Sequence, residues 1–441
     1  MNEKKIIESI LKYTKGFDTH IILTSYTRNL TRFGDNEISQ NVSSNDIYAN
    51  IRISDSKRVY KFVISKFDDN AIKDTICRAV SNMKMTKEAQ YIPSSTNSVV
   101  KIDSDRYFDK SVSEISPLDR VLKIKKFLNF CSKTGRLAYG TISNSSGIFI
   151  VANSNGLFQR QKETSFEYEI TVNKNGAYGK ACGYSFRDDL NIDAINEKAL
   201  KKSDLAKNPI EIKPGKYTII AEPLAVSEFL VFFGYYGFNA LAFYERRSFA
   251  TDNLGKKIFS DKLTIYDDPS DKSYPALLFD MEGMPRKKIV LVENGVLKNL
   301  VTDKKTSKLC NMPYTANSLF EPNGFGAIPF NMSVECGKKS LSDIIKDTEK
   351  GILVTEFHYT NVLKPKTIEM TGMTRNGTYL IENGKIKKAI KNMRFTQNMV
   401  EALNNIEDIS DKSEIFKGWS SVIKTPAIKI KEFNFTSTTE F

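Results

Sequence analysis

Apolar and polar residues follow two different rhythms along the first ninety positions. Between Ile6 and Leu11 the apolar side chains recur at helical spacing and Gly16 follows, so we predict an amphipathic helix that ends there. From residue 20 to residue 64 the pattern changes to the alternation typical of strands, and residues 68–83 return to a helical stripe. Residues 1–90 are therefore predicted to form an α+β domain.

A second α+β domain is predicted over residues 108–206, after a polar linker at residues 91–107. It opens on Ser116-Pro117, a capping hydroxyl followed by a proline at the first helical position. The Asn-Gly pairs at 155–156 and 175–176 are hairpin signals. A charged helix over about residues 192–205 closes the domain.

The remaining chain, residues 214–436, has the pattern of strands and turns. Its Asn-Gly pairs again indicate tight turns. Only two short helices are predicted to interrupt it, over about residues 341–350 and 396–405. The fold class predicted for the whole chain is α+β, with two N-terminal α+β sheet domains followed by a mostly-β C-terminal domain.

One segment of the last domain, residues 223–243, is apolar almost all round. A buried core helix has this pattern. A helix at the floor of a cleft has it too, if Gly234 and Gly237 allow another backbone to approach closely. From the residues alone, the buried core helix is the favoured interpretation.

Composition limits the possible partners. The chain has 441 residues, with 65 Lys and Arg against 52 Asp and Glu, a net charge of +13. The basic residues are scattered and no nucleic-acid motif stands out, so DNA or RNA is an unlikely partner class. The N-terminus has no apolar signal core, and the longest apolar stretch is too short to span a bilayer. Five cysteines without CxxC spacing fit reduced thiols, and we predict a cytoplasmic protein.

Candidate chemistry is sparse. The chain has only two histidines, and a hydrolytic zinc site uses two or three. His20 begins an apolar strand, and His358 lies in a polar and aromatic strand where it could line a cleft. Cys336 has a loop-like setting and is the most plausible reactive thiol, although no basic partner is visible beside it. A metal-independent hydrolase that uses Cys336 or His358 therefore stays open as an alternative.

Several blocks of the chain resemble the TldD/PmbA family of zinc metallopeptidases and their partner subunits. At the N-terminus the similar blocks are Asn29-Leu30-Thr31-Arg32-Phe33 and the stretch from Asn36 to Val42. In the last domain they are Phe238-Asn239-Ala240-Leu241-Ala242, Arg247-Ser248-Phe249, Leu254–Phe259, Leu263–Asp268, Phe279–Gly283, Gly351–Thr355, Gly377–Gly384 and Lys391–Thr396. They occur in the family's order and spacing from about residue 20 to residue 435.

The resemblance implies one of two subunit types. TldD-like subunits bind zinc through the histidines of an HExxxH helix and a cysteine near the C-terminus, whereas TldE/PmbA-like subunits lack these ligands and pair with a TldD-like subunit. Here the motif is expected near Val231, Phe232 and Tyr236. No histidine lies between His20 and His358, and no cysteine follows Cys336. The resemblance thus implies the zinc-free type, with no catalytic residue, no metal site and no cofactor of its own, and zinc only in a catalytic partner.

The function that the resemblance implies is that of a non-catalytic subunit of a TldD/TldE-like complex, which processes or degrades unfolded peptides. The partner would be a TldD-like subunit or a second copy of this chain, and the ligand an extended peptide. The alternatives are a standalone homodimeric peptide-binding scaffold and, ranked last, a DNA-associated protein of the gyrase-modulator type. The residues predicted to line the substrate cleft are polar or aromatic and lie in blocks that the family shares: Tyr235, Tyr236, His358, Asn361, Arg375 and Asn376.

Overall fold

The computed structural model describes residues 3–97, 102–418 and 421–439. The first half of the chain contains α1 (Glu3–Tyr13), β1 (Asp18–Gly34), β2 (Glu37–Ser54), β3 (Val59–Ile64), α2 (Asp69–Met85), α3 (Lys110–Ser113), α4 (Pro117–Lys133), β4 (Leu137–Asn153), β5 (Phe158–Lys174), β6 (Ala177–Ser185) and α5 (Ile192–Leu205). The predicted linker contributes no helix or strand at residues 91–97 and 102–106, and the rest of it includes positions outside the described residues.

The second half begins with β7 (Gly215–Ala221), α6 (Pro223–Phe232), a π-helical turn (Phe233–Gly237) and α7 (Ala240–Tyr244). It continues with β8 (Ile265–Asp267), β9 (Ile289–Glu293), β10 (Val296–Leu297), α8 (Lys304–Cys310), β11 (Asn331–Val334), α9 (Leu341–Lys346), β12 (Lys350–Lys364), β13 (Glu369–Glu382), β14 (Lys385–Ala389), β15 (Met393–Asn398), α10 (Met399–Asn404), β16 (Ile406–Lys417) and β17 (Val422–Thr438). Single 3₁₀ turns lie at Phe249–Asp252 and Pro365–Thr367.

The two N-terminal units share one antiparallel sheet of six strands, in the order β3-β2-β1-β4-β5-β6. The long β1 strand joins them, because it pairs with β2 on one side and with β4 on the other. Helices α1 and α2 bury their apolar stripes against the β1–β3 half, and α4 and α5 cover the β4–β6 half. The region expected to be a linker thus separates two halves of a single sheet.

The last unit is an eleven-stranded mixed sheet with the main apolar core of the molecule. Helix α6 and the π-helical turn lie within this core, so the α+β class with a strand-rich C-terminal unit is confirmed. The predicted helices at residues 192–205 and after Ser116 are also confirmed, and Ser116 caps α4 as expected. Those predicted near 341 and 396 are shorter, since Lys350 starts β12 and residues 393–398 complete β15.

The apolar segment after Pro223 is not one continuous helix. It ends at Phe232, passes through the π-helical turn and restarts at Ala240. The break lies where Gly237 meets Phe249, whose ring carbon would stand 2.2 Å from a β-carbon at that position. A larger residue would force the two segments apart. The sequence suggested that Gly234 and Gly237 admit another backbone, but the atoms next to them are side-chain atoms of Phe249, Met332 and Pro329.

The N-terminal sheet is joined to the last unit by a buried polar contact. The guanidinium of Arg52 on β2 donates to both carboxylate oxygens of Glu282, at 2.7 and 3.0 Å, and both side chains are fully buried. Beside this pair, the Nε2 of His20 donates to the carbonyl oxygen of Met281 at 2.8 Å, and Nδ1 has no partner. His20 is therefore a buried contact between units and lies away from any strand edge exposed to solvent.

We expect His20 to make folding stability depend on pH below neutrality. Burial lowers the pKa of His20 from its ordinary 6.5 to about 4, so the unfolded chain binds a proton that the folded chain does not. The stabilisation is complete above about pH 6.5 and is lost as the pH falls toward 4, a change of about 2 kcal/mol between pH 7 and pH 5. Urea unfolding of the wild type and of His20→Gln at these two pH values measures it.

The comparison with the variant isolates His20 from a group that titrates in the opposite sense. Burial, with Glu282 and Asp303 nearby, raises the pKa of Glu321 to about 7, so this carboxyl favours the folded state more at the lower pH. The wild type and His20→Gln both keep Glu321. The difference between them in how the free energy of unfolding changes with pH therefore reports the titration of His20. Parallel slopes would show that His20 does not titrate on unfolding.

Candidate functional site

A cavity of about 470 Å³ lies between the β4–β6 half of the first sheet and the last unit. This volume is within the range of ligand-binding clefts. One wall comes from β4, β5 and β6, the floor from α6, and the opposite side from β12, β16 and the start of β17. Its lining includes Thr141, Ser143, Glu167, Glu169, Lys180, Cys182, Tyr184, Ser227, Glu228, Val231, Phe232, Phe357, His358, Tyr359 and Lys417.

One face of α6 forms the floor. Leu224, Ser227, Glu228, Val231 and Phe232 line the cavity, and their spacing is that of a single helical face. The other side of the helix is buried in the core, where its alanine, valine, leucine and phenylalanine side chains pack against the sheet. Helix α6 is therefore a core helix on one side and the floor of a cavity on the other. Both sides are apolar except for Ser227 and Glu228.

Glu228 is the only charged residue of α6. The Oε2 atom of Glu228 accepts a hydrogen bond from the backbone N–H of Phe357 on β12, at 2.6 Å. No ion pair with Glu228 exists in the described parts of the chain. Burial and the nearby carboxylate of Glu356 raise the pKa of Glu228 well above its ordinary value. Burial and Glu356 therefore favour the protonated form of this carboxyl, against the N–H of Phe357 and the charge of Lys180, which favour the ionised form.

Glu356 lies behind Glu228 and is held by an interdomain ion pair. Lys180 on β6 contacts Glu356 at 2.9 Å and Glu169 on β5 at 3.3 Å. The side-chain amide of Asn376 also donates to Glu356, at 2.6 Å. Because Lys180 belongs to the first sheet and Glu356 to the second, this ion pair fixes the distance between the two walls of the cavity.

The structure brings together three of the six predicted cleft residues. His358 lines the cavity, Arg375 contacts the Nε2 of His358, and Asn376 contacts Glu356. Partial burial and Arg375 lower the pKa of His358, which keeps the ring neutral. The other three lie elsewhere. Asn361 is exposed further along β12, and Tyr235 and Tyr236, in the π-helical turn, pack against the main core and are not among the residues that line the cavity.

Sequence reasoning missed Ser227, Glu228 and Lys180. A signal for the first two was present, since Ser227 and Glu228 are the only polar residues between Pro223 and Phe233. A lone carboxylate in an otherwise apolar helix is costly to bury unless it has a role. No comparable signal marks Lys180, which is one of many scattered lysines.

The thiols of the chain do not provide a nucleophile in the cavity. Cys182 lines it, but burial raises the pKa of its thiol to about 12, so it is not a thiolate at neutral pH. Cys336 is exposed and is not part of the lining. The thiol chemistry that the sequence left open therefore has no support from the cavity.

The donor set of the cavity does not fit zinc. The helical positions that face the cavity with the spacing of an HExxxH motif are Ser227, Glu228 and Phe232, four residues before the register that we expected. In that register the two histidine positions are a serine and a phenylalanine, and only the glutamate is present. Within residues 3–97, 102–418 and 421–439, no three His, Cys, Asp or Glu side chains are grouped to hold a metal ion.

Family models identify the two larger units. The PmbA/TldA metallopeptidase central domain matches residues 105–205, and the PmbA/TldA metallopeptidase C-terminal domain matches residues 214–437. Together they account for most of the chain. The chain belongs to the TldD/PmbA family. Its TldD/PmbA fold supplies the cavity, and its own residues at the cavity depart from the zinc-binding pattern.

Individual relatives agree with this family. A metalloprotease TldD homolog from Buchnera aphidicola subsp. Acyrthosiphon pisum is 32% identical over 178 residues, 39% of this chain and 36% of that protein. A zinc metalloprotease TldD homolog from Saccharolobus solfataricus is 23% identical over 369 residues, 78% of each chain. The chain thus spans just over a third of the Buchnera relative that it matches.

The crystal structure of TldE from Thermococcus kodakarensis has the same fold. It superposes with a TM-score of 0.83 and 23% sequence identity, over 98% of this chain and 99% of that chain. The described part of the chain has no helix that is both long enough and apolar enough to cross a membrane.

Proposed function

We propose that this chain is the zinc-free subunit of a TldD/TldE-type peptidase complex and that its cavity holds an extended peptide. The observation that carries the proposal is the cavity-facing side of α6, where serine and phenylalanine stand at the two histidine positions of the motif. The peptide would be cut by a zinc-bearing, TldD-like partner. Cytoplasmic location, predicted from the cysteine usage, is part of the same proposal.

The position of β6 supports peptide binding. Within the described residues this strand is at the edge of the six-stranded sheet and pairs with β5. Its residues Lys180, Cys182, Gly183 and Tyr184 line the cavity. An edge strand offers backbone N–H and carbonyl groups to a further strand, and an extended peptide can take that place whatever its side chains are. Such binding suits a subunit that handles unfolded peptides.

The experiment is affinity purification of the tagged chain from its own cells, followed by native mass and zinc content. We expect a complex with a second, similar-sized chain that carries about one zinc, as expected for a catalytic zinc site. The purified chain alone is expected to retain no stoichiometric zinc after chelator dialysis and to cleave no unfolded peptide. Peptidase activity should appear when the partner is added.

Two results would contradict the proposal. Tight zinc in the isolated chain would mean that ligands other than those in the cavity bind it. A metal-free homo-oligomer without a partner would favour the alternative, a homodimeric peptide-binding scaffold, for which the same cavity is equally suited. The gyrase-modulator label used for some relatives is a misannotation and lends no weight to DNA binding.

A further inference from the structure

The three carboxylates that line the cavity differ in their partners. Glu167 pairs with Lys417 at 2.7 Å, and Glu169 pairs with Lys180 at 3.3 Å. Glu228 lines the same cavity from its floor and has no ion-pair partner within 4.0 Å in the described residues. It is therefore the one carboxylate of the lining that no lysine or arginine contacts directly.

Both lysines of the lining make their direct contacts with other carboxylates, although Lys180 also attracts Glu228 at longer range. Lys180 is already shared between Glu169 and Glu356, at 3.3 and 2.9 Å. Lys417 is held by Glu167 on the far side of the cavity, where β16 meets β5. Arg375 is exposed and contacts His358. With Glu356 included, the acids around Glu228 outnumber the cations that contact them, in a chain that carries an excess of basic residues overall.

The position of Glu228 is fixed. Its Oε2 atom is held by the N–H of Phe357, which leaves the Oε1 atom for a ligand in the cavity. The helix that carries it is packed in the core on its opposite side, which sets the position of its backbone. Its neighbours on the cavity surface are the apolar Val231, Phe232 and Phe357. An apolar surrounding strengthens the attraction between a carboxylate and a cation.

We propose that the cavity binds a cationic group of a peptide, either its free amino terminus or a lysine or arginine side chain, with Glu228 as the counter-ion. The proposal rests on the peptide-binding function proposed above and names the chemical group that the site selects. A carboxylate without a direct ion-pair partner at the floor of a cavity recognises an ammonium or guanidinium group by a charge-assisted hydrogen bond.

Binding should be linked to the release of a proton. Burial and Glu356 raise the pKa of Glu228 and so favour its protonated form in the empty cavity, whereas an entering cation favours the ionised carboxylate and the release of the proton. The other titratable groups around the cavity are Glu167, Glu169, Lys180, Cys182, Tyr184, Glu356, His358, Tyr359 and Lys417. The affinity for a cationic peptide should therefore rise as the pH rises through the pKa of Glu228, and that for an uncharged analogue should not.

The test uses the full-length chain and two pairs of fluorescent peptides of one unfolded sequence. One pair differs in a free or acetylated amino terminus, and the other in lysine or acetyl-lysine at one position. Fluorescence anisotropy should show at least about tenfold tighter binding of the cationic member of one pair. That pair identifies which source of positive charge the site takes.

The variant Glu228→Gln should abolish this preference and its pH dependence while retaining the affinity for the uncharged peptide, because glutamine can still accept from the N–H of Phe357. The control is Glu414→Gln on β16. This variant also replaces a glutamate near the cavity by glutamine, but Glu414 already forms an ion pair with Lys198. The preference for the cationic peptide should persist in it.

Three outcomes would overturn the proposal. Equal binding of charged and uncharged peptides, or a preference that survives in Glu228→Gln, would refute the role of Glu228 and leave peptide binding intact. If the preference is lost in Glu414→Gln as well, it arises from the overall negative charge around the cavity and not from direct contact with Glu228. Binding of none of the four peptides would refute both this proposal and the peptide-binding function.

Discussion

Replacing Glu282 by alanine should lower the free energy of unfolding by about 3–5 kcal/mol. Both oxygens of Glu282 accept hydrogen bonds from Arg52, and the two side chains are 0% and 1% exposed. Loss of the carboxylate leaves a buried guanidinium with only the carbonyl oxygen of Glu321, at 3.1 Å, as an acceptor. Urea unfolding followed by circular dichroism measures the effect. It should be largest at neutral pH, where Glu282 is ionised.

The matched control is Glu88→Ala. Glu88 also forms an ion pair, with Lys57 at 3.2 Å, but both side chains are 61% exposed. Solvent screens such a pair, so the expected loss is below about 1 kcal/mol. Replacing Arg52 and Glu282 together by methionine and leucine should recover most of the stability, because it removes the unpaired charge. A loss in Glu282→Ala no greater than that of the control would mean that the two units do not depend on this contact.

Replacing Phe357 by alanine should lower the free energy of unfolding by about 3–5 kcal/mol. The ring is 2% exposed, and its centroid lies 4.7 Å from that of Phe395 and 5.6 Å from that of Phe433. Truncation leaves a cavity between β12 and β17 that these large neighbours cannot fill. Thermal and urea unfolding of the purified variant measure the loss.

The control for Phe357 is the same change at an exposed phenylalanine. Phe325 is 68% exposed, so Phe325→Ala should change stability by no more than about 0.5 kcal/mol. Phe357→Ala should also weaken peptide binding, since its ring forms part of the cavity wall. Equal stability of the two variants would mean that the core relaxes around the missing ring.

The structure changes what the absence of zinc ligands implies. A subunit that had only lost its catalytic residues could have filled its cavity with bulky side chains. Here an open cavity of about 470 Å³ remains, with a glutamate on its floor and an ion pair between its walls. These features support the proposed role in holding peptide.

Local signals in the chain were enough to predict many elements. Ser116 caps α4 because its hydroxyl reaches the N–H of Asp119, three residues on. The Asn175-Gly176 turn forms because both residues tolerate positive φ. The helix at 192–205 follows from its own periodicity. The zinc-free interpretation also needed no structure, since it depends on a count of histidines and on their positions.

The cavity and its charges were decided by tertiary structure alone. Glu228 and Phe357 are 129 positions apart, and Lys180 and Glu356 come from different sheets. Helical periodicity could place Tyr236 or Glu228 toward a cleft equally well, because the segment is apolar on all sides. The π-helical turn ends α6 at Phe232, and Tyr235 and Tyr236 within it are not among the residues that line the cavity. Contacts between distant segments depend on how whole elements pack, and no local pattern of residues encodes that packing.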